Sequence, residues 1–236
     1  MGKNHLSEQE ILDYFSSWDL SEPARTYIPG HVNRYIFNLR MLKDIIKKID
    51  TKHLEILDIG PHLQTEIIYL SFDNITINTL GYENLMLYKK EHVNEHLEFD
   101  LNDAQEKKNW PEFKKHDIVI MAEVIEHLHT SPELILGCVR NFIKEDGYLI
   151  VQTPNAVSFD KRIKLMMGKN PYHLISKSVK TPNHFREYTS DELTEIGKAA
   201  GLRVEKIYYL NYEKDGELLK NFLKKIGGFR ENFRQG

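Results

Sequence analysis

Cysteine is nearly absent from this chain: Cys138 is the single one in 236 residues. A lone thiol closes no internal disulfide and builds no cysteine-pair zinc site, so a disulfide scaffold and a zinc ribbon are both excluded. Long apolar runs are missing too. The uninterrupted apolar stretch near the middle is 118–122, whereas a bilayer-crossing helix takes about 20 residues. The first residues, Met1 to Leu6, show no apolar signal core, and Leu6 stands where a myristoylation pattern needs Ser or Thr. The expectation is a cytoplasmic chain without a membrane span. Positive charge is not in excess either. Lys and Arg total 32 against 35 Asp and Glu, a formal charge of −3, which is not the footprint of a protein that coats nucleic acid. Internal repeats and low-complexity tracts are absent.

What is present is enough apolar material for a core: 41% hydrophobic residues beside 28% charged ones, in a length suited to one large domain. Ser7 with Glu10 forms a capping box and predicts a helix over 8–17. Pro23, Pro29 and Gly30 make 18–30 read as a loop, and apolar spacing from Val32 predicts a helix to about Asp50. Short apolar runs closed by Gly or Pro then predict strands at 54–59, 75–80, 97–99, 117–122, 147–153 and 203–210. Ser131-Pro132 opens a helix through Lys144, and Thr189 with Glu192 caps another that ends at Gly201. Strands alternating with helices predict an α/β fold: a doubly wound, mostly parallel sheet of six or seven strands with helices on both faces and a small helical cap. Such sheets bind ligands beyond the carboxyl ends of their strands, at the point where strand order reverses.

The residues at those ends carry the functional signal. The first strand ends in Asp58-Ile59-Gly60-Pro61-His62, with one glycine where a dinucleotide fingerprint needs three. The second ends in Gly81-Tyr82-Glu83, a carboxylate able to accept from ribose hydroxyls. The third ends in Asp100-Leu101, a polar group beside an apolar one. The fourth ends in Ala122-Glu123-Val124-Ile125-Glu126-His127-Leu128, and the fifth in Thr153-Pro154-Asn155.

This order and spacing resembles the class I S-adenosylmethionine (SAM)-dependent methyltransferases, the small-molecule branch with the EVIEHL signature. The resemblance covers roughly 52–210; its specific part is Asp117 to Asn155, and His184-Phe185-Arg186-Glu187-Tyr188 resembles the family's return from its substrate cap. It implies a Rossmann-like core at 51–155 that binds SAM and releases S-adenosylhomocysteine. Around it stand N-terminal helices at 1–50, a substrate-cap insert at 156–188 and a C-terminal part of the core at 189–236. Carried over by position, Asp58 and Gly60 sit under the methionine part, Glu83 binds the ribose, Asp100 and Leu101 flank the adenine, and 121–123, with Ala122 and Glu123, covers the methionine amino group or sulfonium face. Arg34 or Arg40 reaches the methionine carboxylate. The family's first motif usually reads D-x-G-x-G-x-G. Here His62 and Gln64 hold the second and third glycine positions, so two side chains stand where backbone approaches the cofactor.

His127 is the catalytic candidate, a base for an acceptor hydroxyl beyond the fourth strand, and His184 is the second. Each is balanced by a plain reading as a histidine bonded to backbone. The cluster Glu123, Glu126, His127 and His129 reads as possible metal ligands, but along a helix Glu126, His127 and His129 do not share one face, so no metal site is expected. The insert holds seven cations (Lys161, Arg162, Lys164, Lys169, Lys177, Lys180, Arg186) and two acids (Asp160, Glu187). The bland reading is a solvated face; the sharper one is attraction of an anionic acceptor, such as a phosphorylated or nucleotide-linked sugar for a surface glycan. A quinone-like phenol is the neutral rival, and a methyltransferase-like binding module without turnover is the non-enzymatic one. Nucleic-acid amino methylation would require D/N-P-P-Y/F after the fourth strand, where this chain has Ala122-Glu123-Val124. Nothing in the sequence sets the oligomeric state.

Overall fold

The computed structural model describes residues 6–82, 87–177 and 183–210. Its centre is a five-stranded parallel sheet of β1 (Leu54–Ile59), β2 (Ile75–Gly81), β3 (Glu95–Glu98), β4 (His116–Ala122) and β5 (Ile143–Gln152), in the order β3-β2-β1-β4-β5. The chain fills one half of the sheet outward from β1, then returns to the other side of β1 with β4. The order therefore reverses between β1 and β4, and the crevice of an open α/β sheet belongs there.

Period-two alternation sorts the strand residues onto two faces. Ile56, Ile77, Ile118, Ile120 and Ile150 point into one cluster, under α1 (Glu8–Ser16), α2 (Glu22–Ile46) and α3 (Leu63–Ser71). Leu57, Ile59, Leu80, Val119 and Met121 point into the other, under α4 (Pro132–Arg140) and α6 (Ser190–Ala199). The short α5 (Phe159–Met166) lies in the insert. Burial on both faces explains the near-continuous apolar runs of β1 and β4. Each fully buried aliphatic side chain contributes about 1.5–3 kcal/mol.

The expected loop at 18–30 is instead the first part of α2. Pro23 occupies the first turn, where a helix N–H has no intrahelical partner to lose. Pro29 lies inside the helix and forfeits one backbone bond. Ile28 and Val32, both buried against α1 and the sheet, hold the helix together across it. Helix α4 stops at Arg140 rather than Lys144, because Ile143 already pairs with His116. The expected six or seven strands are five among the described residues. Segment 203–210 joins no sheet; its apolar residues Val204, Ile207 and Tyr209 are exposed. The segment lies beside α2 through a Phe37–Tyr208 ring contact, and beside the turn after α2 through a Lys48–Glu205 ion pair. Among the described residues no helix is long and apolar enough to cross a membrane.

Candidate active site

Three strand ends meet at the reversal point. After β1 the chain turns at Gly60, φ +70°, a left-handed conformation that costs little only for glycine. A Cβ there would come within 2.5 Å of Val124 Cγ2, in the loop after β4. At the end of β2, a Cβ on Gly81 would press on Pro61 at 3.2 Å. Small residues at 60 and 81 thus let the three loops close onto one another.

Asp58 is buried, and its Oδ2 accepts from the Thr65 hydroxyl at 2.6 Å, on the first turn of α3. Burial raises its pKa to about 7, and the Thr65 bond offsets only part of that. Thr65 Oγ1 also accepts from the His62 N–H at 3.2 Å, so the turn from β1 into α3 is tied to Asp58 through one hydroxyl. The His62 ring lies 5.6 Å from Tyr27 of α2, and burial followed by the nearby Arg34 charge lowers its pKa to about 4. Gln64 is turned away to structural use: Asn38 of α2 donates to its Oε1 at 2.6 Å and to Gln152 Oε1 at 3.0 Å. The two side chains in glycine positions are therefore packed against α2, a helix whose early start the sequence reading did not anticipate.

Arg34 comes from that same helix. It is buried, donates to the Tyr27 hydroxyl at 2.9 Å and pairs with Glu123 at 3.3 Å. Arg40, the alternative, is exposed. Ala122 closes β4, and Glu123 follows with φ +58°, an uncommon conformation for a residue with a side chain. Beyond β3, Asp100 caps a 3-10 turn by accepting from Asn102 N at 2.9 Å, and Leu101 beside it is buried. Asn102 in turn accepts from the N–H of His129 at 2.8 Å, lashing this loop to the one after β4. Glu83 lies outside the described residues.

Glu126 and His127 sit on a 3-10 turn at Ile125–His127. The strap from 183 to 188 crosses above: Phe185 N donates to Glu126 O at 2.7 Å, and Ala156 N to Tyr188 O at 3.0 Å. It carries His184 to within 4.8 Å of His127, ring to ring and edge-on. Glu126 is fully buried; its Oε2 accepts from Thr153 at 2.9 Å, and its Oε1 has no hydrogen-bond partner among the described residues. Burial and then the neighbouring Glu123 raise its pKa above the carboxylate range. His184 Nδ1 contacts Glu187 Oε1 at 3.0 Å, and burial lowers its pKa to about 4. Ligand-capable atoms of Glu126, His127 and His184 all lie within 4.8 Å of one another. Helical spacing would set Glu126 and His127 on different faces from each other and from His129. The chain makes a tighter turn there, and the third member comes from the strap; the run from His184 to Tyr188 was the signal available for it.

Two of the insert's cations are spent on ion pairs, Lys161 with Glu187 and Arg186 with Glu192. Arg162, Lys169 and Lys177 lie on exposed positions, with Lys164 half-buried, and Lys180 falls outside the described residues.

A protein of Mycolicibacterium smegmatis described as a probable S-adenosylmethionine-dependent methyltransferase is 32% identical over 89 residues. That match spans 38% of this chain and only 29% of the relative's length. Among solved structures, the pyocyanin biosynthetic protein PhzM superposes with a TM-score of 0.54 at 16% identity, over 86% of this chain and 59% of PhzM, and shares the fold. A SAM-dependent methyltransferase from Archaeoglobus fulgidus gives a TM-score of 0.49 at 17% identity, over 81% of this chain and 86% of that one. The methyltransferase-domain family model matches residues 37–207, most of the chain and all five strands. The chain belongs to that family, the class I SAM-dependent methyltransferases.

Proposed function

We propose that this chain transfers a methyl group from SAM to a hydroxyl, or an amine, of a small acceptor. The observation that carries this is the convergence at the β1/β4 reversal of a buried acid, a left-handed glycine and the Arg34–Glu123 pair, followed three residues on by a buried carboxylate that gathers with two imidazoles. The residues suit the family's cofactor. Arg34 is a buried cation fit for a methionine carboxylate, and Asp58 and Glu123 are acids fit for its ammonium. Asp100 with Leu101 offers one polar and one apolar side to a purine, and Glu83 follows β2, where the ribose hydroxyls belong.

When bound, SAM supplies an electrophilic methyl on a sulfonium, an activated leaving group. The protein's work is then to align donor and acceptor and keep water out. His127 on the turn at Ile125–His127 and His184 on the strap lie ring to ring, and this pairing supports a role in taking the proton of an acceptor hydroxyl. Glu187 fixes the orientation of the His184 ring.

The preferred acceptor is anionic, a phosphorylated or nucleotide-linked sugar of glycan synthesis, on the ground of the exposed Arg162, Lys169 and Lys177 in the insert. A quinone-like phenol is the second reading. It is favoured by exposed apolar side chains on the same insert: Phe159, Leu165, Met166, Leu174 and Ile175. The test is a SAM-consumption screen over sugar phosphates, nucleotide sugars and phenols, with product mass measured. Calorimetry with S-adenosylhomocysteine runs beside it. Absence of binding would turn the case toward a module without turnover.

A further inference from the structure

We propose that Glu126, His127 and His184 hold a divalent first-row transition-metal cation, of the Zn2+, Mn2+ or Co2+ type, with coordination positions left open toward the acceptor. This rests on the acceptor side of the methyltransferase reading and replaces proton removal by an imidazole with activation by a cation.

Four observations point to a cation. The ligand-capable atoms gather within 4.8 Å of one another. One carboxylate and two imidazoles form a donor set that suits such ions, and three protein ligands leave room for substrate oxygen. The Glu126 carboxylate is fully buried, and its two oxygens are treated differently. Oε2 is held by Thr153, while Oε1 lies 3.9 Å from His127 Nε2 and has no hydrogen-bond partner among the described residues. A buried carboxylate oxygen left this way calls for a partner, and a cation among the three side chains supplies one. Finally, outer groups already orient the ligands. Glu187 takes His184 Nδ1, which leaves Nε2 as the ring's second nitrogen for a ligand, and Lys161 holds Glu187 in place. A carboxylate behind a ligating histidine is the usual support of a metal site. Two ligands come from the loop after β4 and one from the strap, so the cation would also pin the strap over the crevice.

An acceptor hydroxyl on such a cation loses its proton to solvent more readily. Its oxygen then forms the new bond to the methyl carbon while the carbon–sulfur pair stays on sulfur, and the cation keeps its oxidation state.

The test uses the full chain, stripped with chelator and dialysed. It is titrated with Zn2+ by calorimetry, and with Co2+ by visible ligand-field absorption. The expected result is one cation per chain with an imidazole-bearing Co2+ spectrum. His184→Asn and Glu126→Gln should each weaken Zn2+ by more than about tenfold, and Glu187→Gln by about 10–100-fold. His53→Asn, an exposed histidine against Thr76, should change nothing. If Glu126→Gln does not fold by circular dichroism, the His184 and Glu187 variants decide. Sub-stoichiometric binding, or binding that survives His184→Asn, overturns the proposal and returns the imidazoles to proton acceptance. S-adenosylhomocysteine titrated into the same stripped chain tells the two readings apart: binding without Zn2+ uptake removes the metal alone, and Zn2+ uptake without binding removes the methyltransferase reading alone.

Discussion

Asp58→Asn should make the protein more stable at neutral pH and change little in acid. In the folded chain Asp58 is 2% exposed with a pKa near 7, because burial penalises its charged form and a single Thr65 hydroxyl does not compensate. Its ordinary value is 3.8. Below that value both folded and unfolded chains hold the proton, and the group takes no side. Between pH 4 and 7 the unfolded chain releases the proton while the folded chain keeps it, so stability falls as pH rises and levels off above the folded pKa. The separation from 3.8 to about 7 corresponds to about 4 kcal/mol at 1.36 kcal/mol per unit. Other groups titrate in the same window with the opposite sign. His31, His62 and His184 have pKa values lowered to about 4, so their contribution grows as pH rises. The raw pH profile is therefore a composite, and the informative quantity is parent minus Asp58→Asn. Urea denaturation at half-unit steps from pH 4 to 8 should show that difference opening steadily and reaching a plateau near pH 8. A flat difference would mean that the folded state solvates the carboxylate, and the account of a dry Asp58 would be wrong.

Gly60→Ala should cost about 2–4 kcal/mol, combining left-handed backbone strain with the clash at Val124. Adding Val124→Ala should recover part of the loss, and full additivity in a double-mutant cycle would disprove the contact. Arg34→Gln should weaken S-adenosylhomocysteine by about 10–100-fold, the loss of a charge-assisted bond, read by calorimetry. An unchanged dissociation constant would take Arg34 out of the cofactor site. Neutralising Arg162, Lys164 and Lys169 together should raise KM for an anionic acceptor and leave that for a neutral phenol alone. Added salt should mimic the variant over a screening length of about 8–10 Å; equal effects on both acceptors would mark the patch as a solvated face.

The central strands were legible because burial on both sides writes β1 and β4 as near-continuous apolar runs. Positions 54–59 and 117–122 could hardly be anything else, and both came within a residue of the observed strands. The start of α2 was hidden because Pro23, Pro29 and Gly30 all resemble breakers, although one proline stands where a helix loses nothing and the other is overridden by packing. Segment 203–210 has strand-like composition, yet composition carries no information on whether a sheet edge is there to receive it. The strand-end acids Asp58, Asp100 and Glu123 stand out by their order along the chain, each at or just after a strand end. The pairing of His127 with His184 was not, because it depends on a strap whose path is set by backbone bonds from Phe185 to Glu126 and from Ala156 to Tyr188.

The segment after β4 shows how one strained residue can divide a short motif between two tasks. In a regular turn Glu123 and Glu126 would fall on neighbouring sides, and two carboxylates in a dry crevice would repel; burial and Glu123 do raise the Glu126 pKa. The left-handed φ of +58° at Glu123 changes the chain's direction before the 3-10 turn begins. Glu123 consequently meets Arg34 of α2, on the side of Asp58 and Gly60, while Glu126 meets Thr153 of the loop after β5 and faces the imidazoles. A left-handed residue other than glycine costs of the order of 1–2 kcal/mol, and the Arg34 pair, buried and charge-assisted, is what can offset it. Under the proposed function, the same kink separates the group that touches the donor from the group that touches the acceptor by only three residues of chain, with Val124 wedged against Gly60 between them. The donor and acceptor sides are then held in fixed register by the end of a single strand, which is the alignment that methyl transfer from an already activated leaving group requires.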